Sequence, residues 1–344
     1  MTASPMSPAR AEALDAIRRR LRGASSVVLT THVNPDGDGI GSMVALASRL
    51  LRHGAEATIV TPSRPPPSLR FLLRDIPALV EEDPAAADPL NGADTIAILD
   101  TAEPKRLGGL PEHAKRTGGV LIDHHPPVGS PLVRPAIRDS SACATGELVY
   151  DLLSLDDVGL TRTEAEALYT AISTDTGSFR FSNTSPRAHA IASELLAAGV
   201  DTGALFRELY GVYSRGRLAL MRLALEGLEV DPRAPIAWIA LDRRALSRTG
   251  ARSEDMEGLV EFPRRLAGME VGLLFRGLAR GRTKVSLRSN GEVDVSGVAQ
   301  LLGGGGHAKA SGVLIELDLD EAVRVVLDAL RPLVEAAVAS SNDR

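Results

Sequence analysis

Residues 27–51, VVLTTHVNPDGDGIGSMVALASRLL, contain a short apolar run, a polar loop and an amphipathic segment in direct succession. Val27–Thr30 is predicted to be a buried strand, because the run is short, apolar and rich in β-branched residues. From Ile40 onwards the apolar residues recur at helical spacing, and they are Met43, Val44, Ala47, Leu50 and Leu51. The stretch therefore predicts a strand and a helix joined by a polar loop.

The same alternation of strand and helix continues through the first half of the chain. Further strands are predicted at Thr58–Val60, Thr95–Leu99 and Val120–Ile122. Such an order is typical of a parallel sheet covered by helices on both faces.

Two later helices have recognisable start signals. One is predicted to begin near Thr163, because Thr163 and Glu166 have the spacing of a capping box. The other begins with Ser185-Pro186 and ends near Gly199, with proline at its start and glycine past its end.

The pattern changes after residue 200. Residues 204–226 are helical and amphipathic, and they are followed by strands at Ile236–Leu241, Val271–Phe275, Lys284–Arg288 and Val313–Glu316. We therefore predict an α/β protein with a doubly wound, mostly parallel sheet in residues 1–200. A helical connector, 201–230, would lead to a smaller α+β domain, 231–344.

The composition limits the classes of function. The 344 residues carry a net charge of -5, and aromatic residues make up only 3%. A protein that follows long nucleic acid needs many cationic contacts and stacking rings, so long nucleic acid is not expected as a partner. A local basic pocket for a small anion is still compatible with this charge.

The single cysteine, Cys143, excludes an internal disulfide and a cysteine-rich zinc site. The first 24 residues lack the apolar core of a signal peptide. No stretch approaches the roughly 20 apolar residues that span a bilayer. The sequence thus predicts a cytoplasmic protein with no membrane partner.

Acidic and histidine side chains follow the predicted strands or end a predicted helix. The four clusters are His32-Val33-Asn34-Pro35-Asp36-Gly37-Asp38, Asp100, Asp123-His124-His125, and Asp175 within Ser173-Thr174-Asp175-Thr176-Gly177. Because the carboxyl ends of parallel strands lie along one edge of a sheet, we expect these residues to form a single site.

Crowded carboxylates are stable together when cations neutralise them. Aspartate and histidine without thiolate suit Mn²⁺, while Mg²⁺, Fe²⁺ and Zn²⁺ are less favoured. Asp36 and Asp38 are expected to face two divalent metal ions from one turn, which Gly37 and Gly39 would permit, and Asp100 is placed to bridge the ions. Two ions roughly 3.5–4 Å apart hold a bridging hydroxide for in-line displacement at phosphorus.

A calcium loop starting at Asp36 is excluded. Such a loop needs an oxygen ligand at its fifth position and a glutamate at its twelfth, where this chain has Ile40 and Ala47.

These clusters resemble, in the same order, the four motifs of the DHH phosphoesterase family. Gly303-Gly304-Gly305-Gly306-His307, followed by Ala310-Ser311-Gly312, resembles the glycine-rich motif of the DHH-associated C-terminal domain. Ser286-Leu287-Arg288-Ser289 resembles the substrate-side strand of that domain. Over residues 25–315 the architecture is similar to the nanoRNase/pAp-phosphatase subgroup, which also includes cyclic dinucleotide and pApA phosphodiesterases.

The resemblance implies a role for each residue of the first domain. His32, Asp36 and Asp100 would bind one metal, and the second would be bound by Asp38, Asp100, His124 and Asp175. His125 would lie near the scissile phosphate as an acid or hydrogen-bond donor, and Asp123 would orient the histidines.

The resemblance also implies substrate contacts from the second domain. Backbone N–H groups of Gly303, Gly304, Gly305 and Gly306 would face a substrate phosphate. His307 and Arg288 would add charged donors, with Ser286 on the same strand as Arg288. The active site would then lie in the cleft between the domains.

The predicted function is a two-metal phosphoesterase acting on a small nucleotide or very short RNA: nanoRNA, pApA or 3′-phosphoadenosine 5′-phosphate. The alternatives are a cyclic di-AMP phosphodiesterase, an inorganic pyrophosphatase, a RecJ-like exonuclease and a non-catalytic nucleotide-binding regulator. The glycine run disfavours the pyrophosphatase, the acidic charge disfavours the exonuclease, and the complete ligand set disfavours the regulator. The apolar face of the connector is long enough to pair with a second subunit, so a homodimer is compatible with the sequence.

Overall fold

The computed structural model describes residues 6–127, 129–211, 213–290 and 293–342. They fall into two compact units, with the boundary after Gly211. This boundary lies inside the stretch predicted as a connector.

The N-terminal unit contains one six-stranded sheet and eight α-helices among its described residues. The strands are β1 Ser26–Thr30, β2 Glu56–Thr61, β3 Ala78–Val80, β4 Thr95–Leu99, β5 Gly119–Asp123 and β6 Ala136–Arg138. The helices are α1 Pro8–Arg22, α2 Gly37–Arg52, α3 Ala87–Gly92, α4 Leu110–Thr117, α5 Thr145–Ser154, α6 Arg162–Asp175, α7 Pro186–Ala197 and α8 Thr202–Leu209. Short 3₁₀ turns occur at Pro67–Leu73, Pro84–Ala86 and Pro104–Arg106.

The sheet has the strand order β3-β2-β1-β4-β5-β6, and every pair is parallel. Val27 of β1 lies opposite Ala57 on one side and Thr95 on the other. The direction of strand addition therefore reverses between β1 and β4. Open α/β sheets bind their ligands outside the carboxyl ends of the strands at such a switch point.

Alternate residues of the strands enter two different cores. Val27 and Leu29 pack with helices α1, α2, α5 and α6 on one face of the sheet. Val28, between them, packs with α3 and α4 on the other face. Because side chains alternate along a strand, a parallel strand buried on both faces has a continuous apolar sequence. The predicted doubly wound α/β fold is confirmed.

The C-terminal unit is an α+β arrangement around a mixed sheet. Its elements are α9 Arg215–Glu226, β7 Leu228–Val230, β8 Ile236–Leu241, α10 Ala245–Thr249, α11 Glu261–Arg264, β9 Val271–Leu278, β10 Arg282–Ser289, α12 Val295–Leu301, β11 Gly305–His307, β12 Ala310–Ile315 and α13 Leu319–Asn342, with a 3₁₀ turn at Ser253–Met256. The strand order is β11-β12-β10-β9-β8-β7, in which only the β8–β9 pair is parallel. Helices α12 and α13 cover one face of the sheet, and α9 and α10 pack on the other.

The prediction of one continuous connector helix is wrong. Helix α8 ends at Leu209 and α9 begins at Arg215, where the Ser214 side chain caps the new helix by accepting from Arg217 N. Leu205 of α8 belongs to the N-terminal core, whereas Leu220 of α9 belongs to a core of the C-terminal unit. Each helix is thus stabilised by the unit in which it is buried.

Two helix starts differ from the prediction. The capping box of α6 is formed by Thr161 and Glu164 instead of Thr163 and Glu166. Both pairs have the required spacing, but Glu164 is buried against Arg49, while Glu166 pairs with exposed Arg162. Tertiary burial therefore selects the earlier start.

Helix α2 also begins earlier than the apolar pattern indicates. Its first residue is Gly37 instead of Ile40, and the Asp36 side chain caps it by accepting from the backbone N–H groups of Asp38 and Gly39. Asp38 consequently lies in the first turn of the helix. Among the described residues, no helix is both long and apolar enough to span a membrane.

An ion pair ties α13 to the turn before β8. Arg331 donates through Nε and Nη2 to Oδ2 of buried Asp231, at 2.9 and 2.8 Å. The other carboxylate oxygen accepts from the backbone N–H groups of Arg233 and Ala234. Burial opposes ionisation of Asp231, but these donors hold the pKa of its carboxyl below the ordinary value.

We expect Asp231→Asn to destabilise the C-terminal unit at pH 7 by about 1–3 kcal/mol, because Arg331 loses its anionic acceptor. A depressed carboxyl pKa stabilises the fold above the unfolded value of about 4 and loses that effect as the pH falls through the folded value. The gap between wild type and variant should therefore shrink below about pH 4. Urea unfolding followed through Trp238, the one tryptophan, reports on this unit. An equal gap at pH 7 and at about pH 3 would contradict the ionic origin.

Candidate metal centre at the switch point

The predicted site residues of the N-terminal unit come together at the carboxyl edge of its sheet. His32 follows β1 and Asp100 follows β4, so the two lie on either side of the switch point. The other members are Asp36, Asp38, Asp123, His124, His125 and Asp175, contributed by the N-cap and first turn of α2, the last residue of β5, the loop after β5 and the last residue of α6.

The first group of ligand atoms comes from His32, Asp36 and Asp100. Nε2 of His32 lies 3.3 Å from Oδ2 of Asp100 and 3.5 Å from Oδ2 of Asp36. The other ring nitrogen, Nδ1, donates to the carbonyl of Val33 at 2.8 Å. That bond orients the ring and leaves Nε2 facing the two carboxylates.

The second group comes from Asp38, His124 and Asp175. Nε2 of His124 lies 3.7 Å from Oδ2 of Asp38 and 3.7 Å from Oδ2 of Asp175. The same nitrogen is 3.7 Å from Oδ1 of Asp100. Asp100 therefore presents one carboxylate oxygen to each group.

His125 lies beside His124, with ring centroids 4.5 Å apart. Its Nδ1 donates to Oδ1 of Asp123 at 2.7 Å, and its backbone N–H reaches the same oxygen at 3.1 Å. This hydrogen bond raises the pKa of His125 above its ordinary value. Asp123 is buried, so it fixes the orientation of His125 from the protein side.

Close packing requires the glycines on either side of Asp38. The prediction that they permit a turn is wrong. Gly37 and Gly39 lie in α2, and neither has a left-handed backbone. A Cβ at Gly37 would come within 2.3 Å of the Thr174 hydroxyl, and one at Gly39 within 2.4 Å of the Thr31 hydroxyl. Helix α2 thus approaches α6 and the end of β1 closely only with glycine there.

The backbone of Asp100 has the left-handed conformation that the prediction did not foresee. Its φ is 63°, a region that aspartate tolerates better than most non-glycine residues. The residue is buried, and its two carboxylate oxygens face His32 and His124.

The carboxylates of this cluster repel one another. Burial and the charges of Asp100, Asp175 and Asp36 raise the pKa of Asp38 well above its ordinary value. Burial also raises the pKa of Asp175 to about 6, although His124 acts in the opposite direction. Burial disfavours the charged form of His32, but Asp100 and Asp36 outweigh it and raise its pKa to about 10. The raised pKa values of all three groups indicate that a positive charge would be stabilised within this cluster.

The residues fit a divalent metal centre. Nε2 of His32 is buried, has no hydrogen-bond partner among the described residues and faces Asp36 and Asp100, so a divalent ion would replace its proton between the two carboxylates. Aspartate oxygens and imidazole nitrogens are the donors that Mn²⁺ and related divalent ions accept. His32, Asp36 and Asp100 would hold one such ion, and Asp38, Asp100, His124 and Asp175 would hold a second.

Four residues that the sequence did not single out donate hydrogen bonds to these acids, and one of them, Ser42, donates through its hydroxyl to Oδ1 of Asp38 at 3.2 Å. Thr145 and Gly146 donate to Asp38 and Asp100 from the start of α5. Asn183 Nδ2 donates to Oδ2 of Asp175 at 3.2 Å. The run of small residues just before an amphipathic helix, Ser140 to Gly146, was the available signal, since small side chains allow close backbone approach.

The predicted substrate residues lie in the C-terminal unit. Ser286 and Arg288 are two residues apart on β10, so they share one face of the sheet. Strand β12 separates β10 from β11 and pairs with both, placing Ser286, Gly312 and Gly305 in one row. Gly303, Gly304 and Gly306 flank Gly305, and the side chain of His307 lies outside the described residues. The location of the site in a cleft between the domains stays a prediction.

Two family models match the chain. Residues 26–172 match the DHH family, N-terminal domain, and residues 240–335 match the DHHA1 domain. The first match contains the switch-point cluster except Asp175, and the second contains β10 and the glycine run. Fold and site together are those of a DHH phosphoesterase with its DHHA1 domain.

Curated relatives agree with this assignment. The chain is 36% identical to the bifunctional oligoribonuclease and PAP phosphatase NrnA of Thermus thermophilus, over 89% of each chain. It is 30% identical to the protein of that name from Bacillus subtilis, over 88% of this chain and 93% of the relative. The crystal structure of an exopolyphosphatase-related protein from Bacteroides fragilis superposes with a TM-score of 0.87 at 27% identity, covering 96% and 98% of the two chains. The chain belongs to the DHH family of metal-dependent phosphoesterases, and its predicted likeness to the oligoribonuclease and PAP phosphatase subgroup is confirmed.

We expect Asp100→Asn to remove Mn²⁺ binding at both ligand groups, because both share this carboxylate. Asparagine keeps the shape and tolerates the left-handed backbone. The loss of turnover should exceed the about 10–100-fold typical of outer-shell partners. In EDTA the variant should be at least as stable as wild type, since one of the crowded anions is gone.

Isothermal titration with Mn²⁺ and thermal unfolding in EDTA test this expectation. Asp88→Asn, an exposed change on α3, is the matched control and should behave as wild type. Near-normal Mn²⁺ binding by Asp100→Asn would refute a shared carboxylate.

Proposed function

We propose that this chain hydrolyses the phosphate esters of short oligoribonucleotides, of pApA and of 3′-phosphoadenosine 5′-phosphate. The observation that carries the proposal is the cluster of ligand atoms around Asp100, whose two carboxylate oxygens face His32 and His124. The Thermus and Bacillus relatives are named as oligoribonucleases and PAP phosphatases, which supports these substrates. A net charge of -5 further favours a small substrate over long nucleic acid.

The proposed metal centre consists of two divalent ions, with Mn²⁺ the best suited. When bound, such ions supply Lewis-acid polarisation of the phosphoryl group and activation of water. The chain's own part is to hold four aspartates and two histidines close together at the carboxyl edge of the sheet. His125, fixed by Asp123, is proposed to donate a hydrogen bond to the phosphate or to the leaving oxygen.

The C-terminal unit is proposed to hold the remainder of the substrate. Arg288 and Ser286 are half-buried on one face of β10 and offer a charged donor and a hydroxyl. Backbone N–H groups in Gly303 to Gly306 are proposed to receive a phosphate, with His307 as a further donor. A phosphate bound there would be the end of the substrate that is not cleaved.

The alternatives share parts of this chemistry. A cyclic di-AMP phosphodiesterase, an inorganic pyrophosphatase and a RecJ-like exonuclease would use the same N-terminal cluster on other substrates. A nucleotide-binding regulator would keep the fold without turnover. The three enzymes differ from the proposed function in their substrate, whereas the regulator differs in having no turnover.

Product analysis with added Mn²⁺ distinguishes these functions. The full-length protein is incubated with pApA, 3′-phosphoadenosine 5′-phosphate, an RNA pentamer, cyclic di-AMP and pyrophosphate, and the products are separated by chromatography. We expect nucleoside monophosphate from the RNA pentamer and from the first two nucleotides, with pyrophosphate unchanged. Pyrophosphate as the sole substrate would refute the proposal, and no turnover at all would favour the regulator.

The glycine run gives a second test. A Cβ at Gly305 meets no atom within 4 Å, so Gly305→Ala should fold normally. If a phosphate approaches this backbone, the added methyl should raise KM for pApA by about tenfold, the worth of one charge-assisted hydrogen bond. Gly297→Ala on α12, which also meets open space, is the matched control. An unchanged KM for Gly305→Ala would remove Gly305 from the proposed phosphate site.

A further inference from the structure

The start of α5 contacts two acids that belong to different elements. The backbone N–H of Thr145 donates to Oδ2 of Asp38 at 2.7 Å, and its hydroxyl donates to Oδ1 of Asp100 at 3.0 Å. The next N–H, that of Gly146, donates to Oδ1 of Asp38 at 2.8 Å. Thr145 is fully buried, so no water competes for these bonds.

Asp38 is held on both carboxylate oxygens. Thr145 N donates to Oδ2 and Gly146 N donates to Oδ1. The Ser42 hydroxyl also donates to Oδ1, at 3.2 Å. The N–H groups of a first helical turn have no partners within their helix and carry partial positive charge. The start of α5 therefore stabilises a buried anion and also fixes its rotation.

Close packing places α5 where it can do this. A Cβ at Gly146 would lie 2.5 Å from Cβ of Ala171 in α6. Because α6 ends in Asp175, the same contact sets α5 against the element that carries another acid of the cluster. The distance between Asp38, which α5 contacts, and Asp175, which ends α6, therefore depends on the packing of these two helices.

The hydroxyl of Thr145 acts on the shared carboxylate. Oδ2 of Asp100 faces His32 at 3.3 Å, and Oδ1 faces His124 at 3.7 Å. Rotation of this carboxylate would remove one oxygen from each group. A hydrogen bond from Thr145 to Oδ1 opposes that rotation.

We infer that Thr145 is a positioning residue of the metal centre: its hydroxyl sets the rotation of Asp100 so that one oxygen faces each ligand group. The inference rests on the proposed metal-dependent function and adds to it the residue that keeps one oxygen of Asp100 facing each ligand group. Thr145 itself touches neither substrate nor metal in this role.

The test compares Thr145→Val with Thr145→Ser in the full-length protein. Valine keeps the branched shape and removes the hydroxyl, whereas serine keeps the hydroxyl and removes the methyl. By isothermal titration into EDTA-treated and dialysed protein, Thr145→Val should bind Mn²⁺ about 10–100-fold more weakly than wild type, and Thr145→Ser should stay close to it. Turnover of pApA should show the loss in kcat, with KM little changed.

Thr170→Val is the matched control. Thr170 is fully buried in α6, and its hydroxyl donates to the carbonyl of Glu166 away from the acids. Its variant should lose the hydroxyl without loss of Mn²⁺ affinity. Thermal unfolding in EDTA checks that all variants are folded, and Thr145→Ala carries the same expectation should the valine variant fail to fold.

Each remaining outcome is decisive. Wild-type Mn²⁺ affinity in Thr145→Val would overturn the inference, and so would equal weakness of Thr145→Ser, because the methyl would then be the important group. Absence of Mn²⁺ binding by wild type would instead overturn the metal centre of the proposed function. The two failures are therefore distinguishable without a substrate.

Discussion

Mutual repulsion among aspartates at one edge of a sheet is the constraint on which the N-terminal unit depends. Asp38 and Asp100 are buried, and Asp175 is partly buried beside them. In an interior of low polarity such charges are costly unless cations or hydrogen-bond donors compensate them. The fold compensates these charges with the histidines that face the carboxylates and with the N–H groups of the first turn of α5. The same crowding of carboxylates and imidazoles suits the cluster to a divalent cation.

The strand order brings the acids together, and the local backbone and packing set the orientation of their side chains. The reversal of strand order between β1 and β4 places His32 and Asp100 side by side. Asp100 has a left-handed backbone, and its two carboxylate oxygens face His32 and His124. Glycines in α2 let that helix approach α6 and β1, so the distances in the cluster follow from close backbone packing.

Much of the fold could be predicted because strand and helix signals are local. Continuous apolar runs gave the strands of the parallel sheet, since both of their faces are buried. The predictions of helix boundaries were wrong where the local sequence signals were ambiguous. Thr161 and Thr163 offer equal capping spacing, and only burial of Glu164 against Arg49 decides between them. The amphipathic pattern around 204–226 is continuous, yet its two halves are buried in different cores.

The sequence by itself indicated which side chains form the candidate centre, because the carboxyl ends of parallel strands share one edge and because aspartate and histidine are donors that divalent ions accept. Only the tertiary structure decided how those side chains are grouped. Asp100 faces His32 with one oxygen and His124 with the other, and Thr145, which lies 107 residues after Asp38 in the chain, donates to both acids. Spacing along the chain carries no information about such contacts, since they depend on the packing of α5 against α2 and α6.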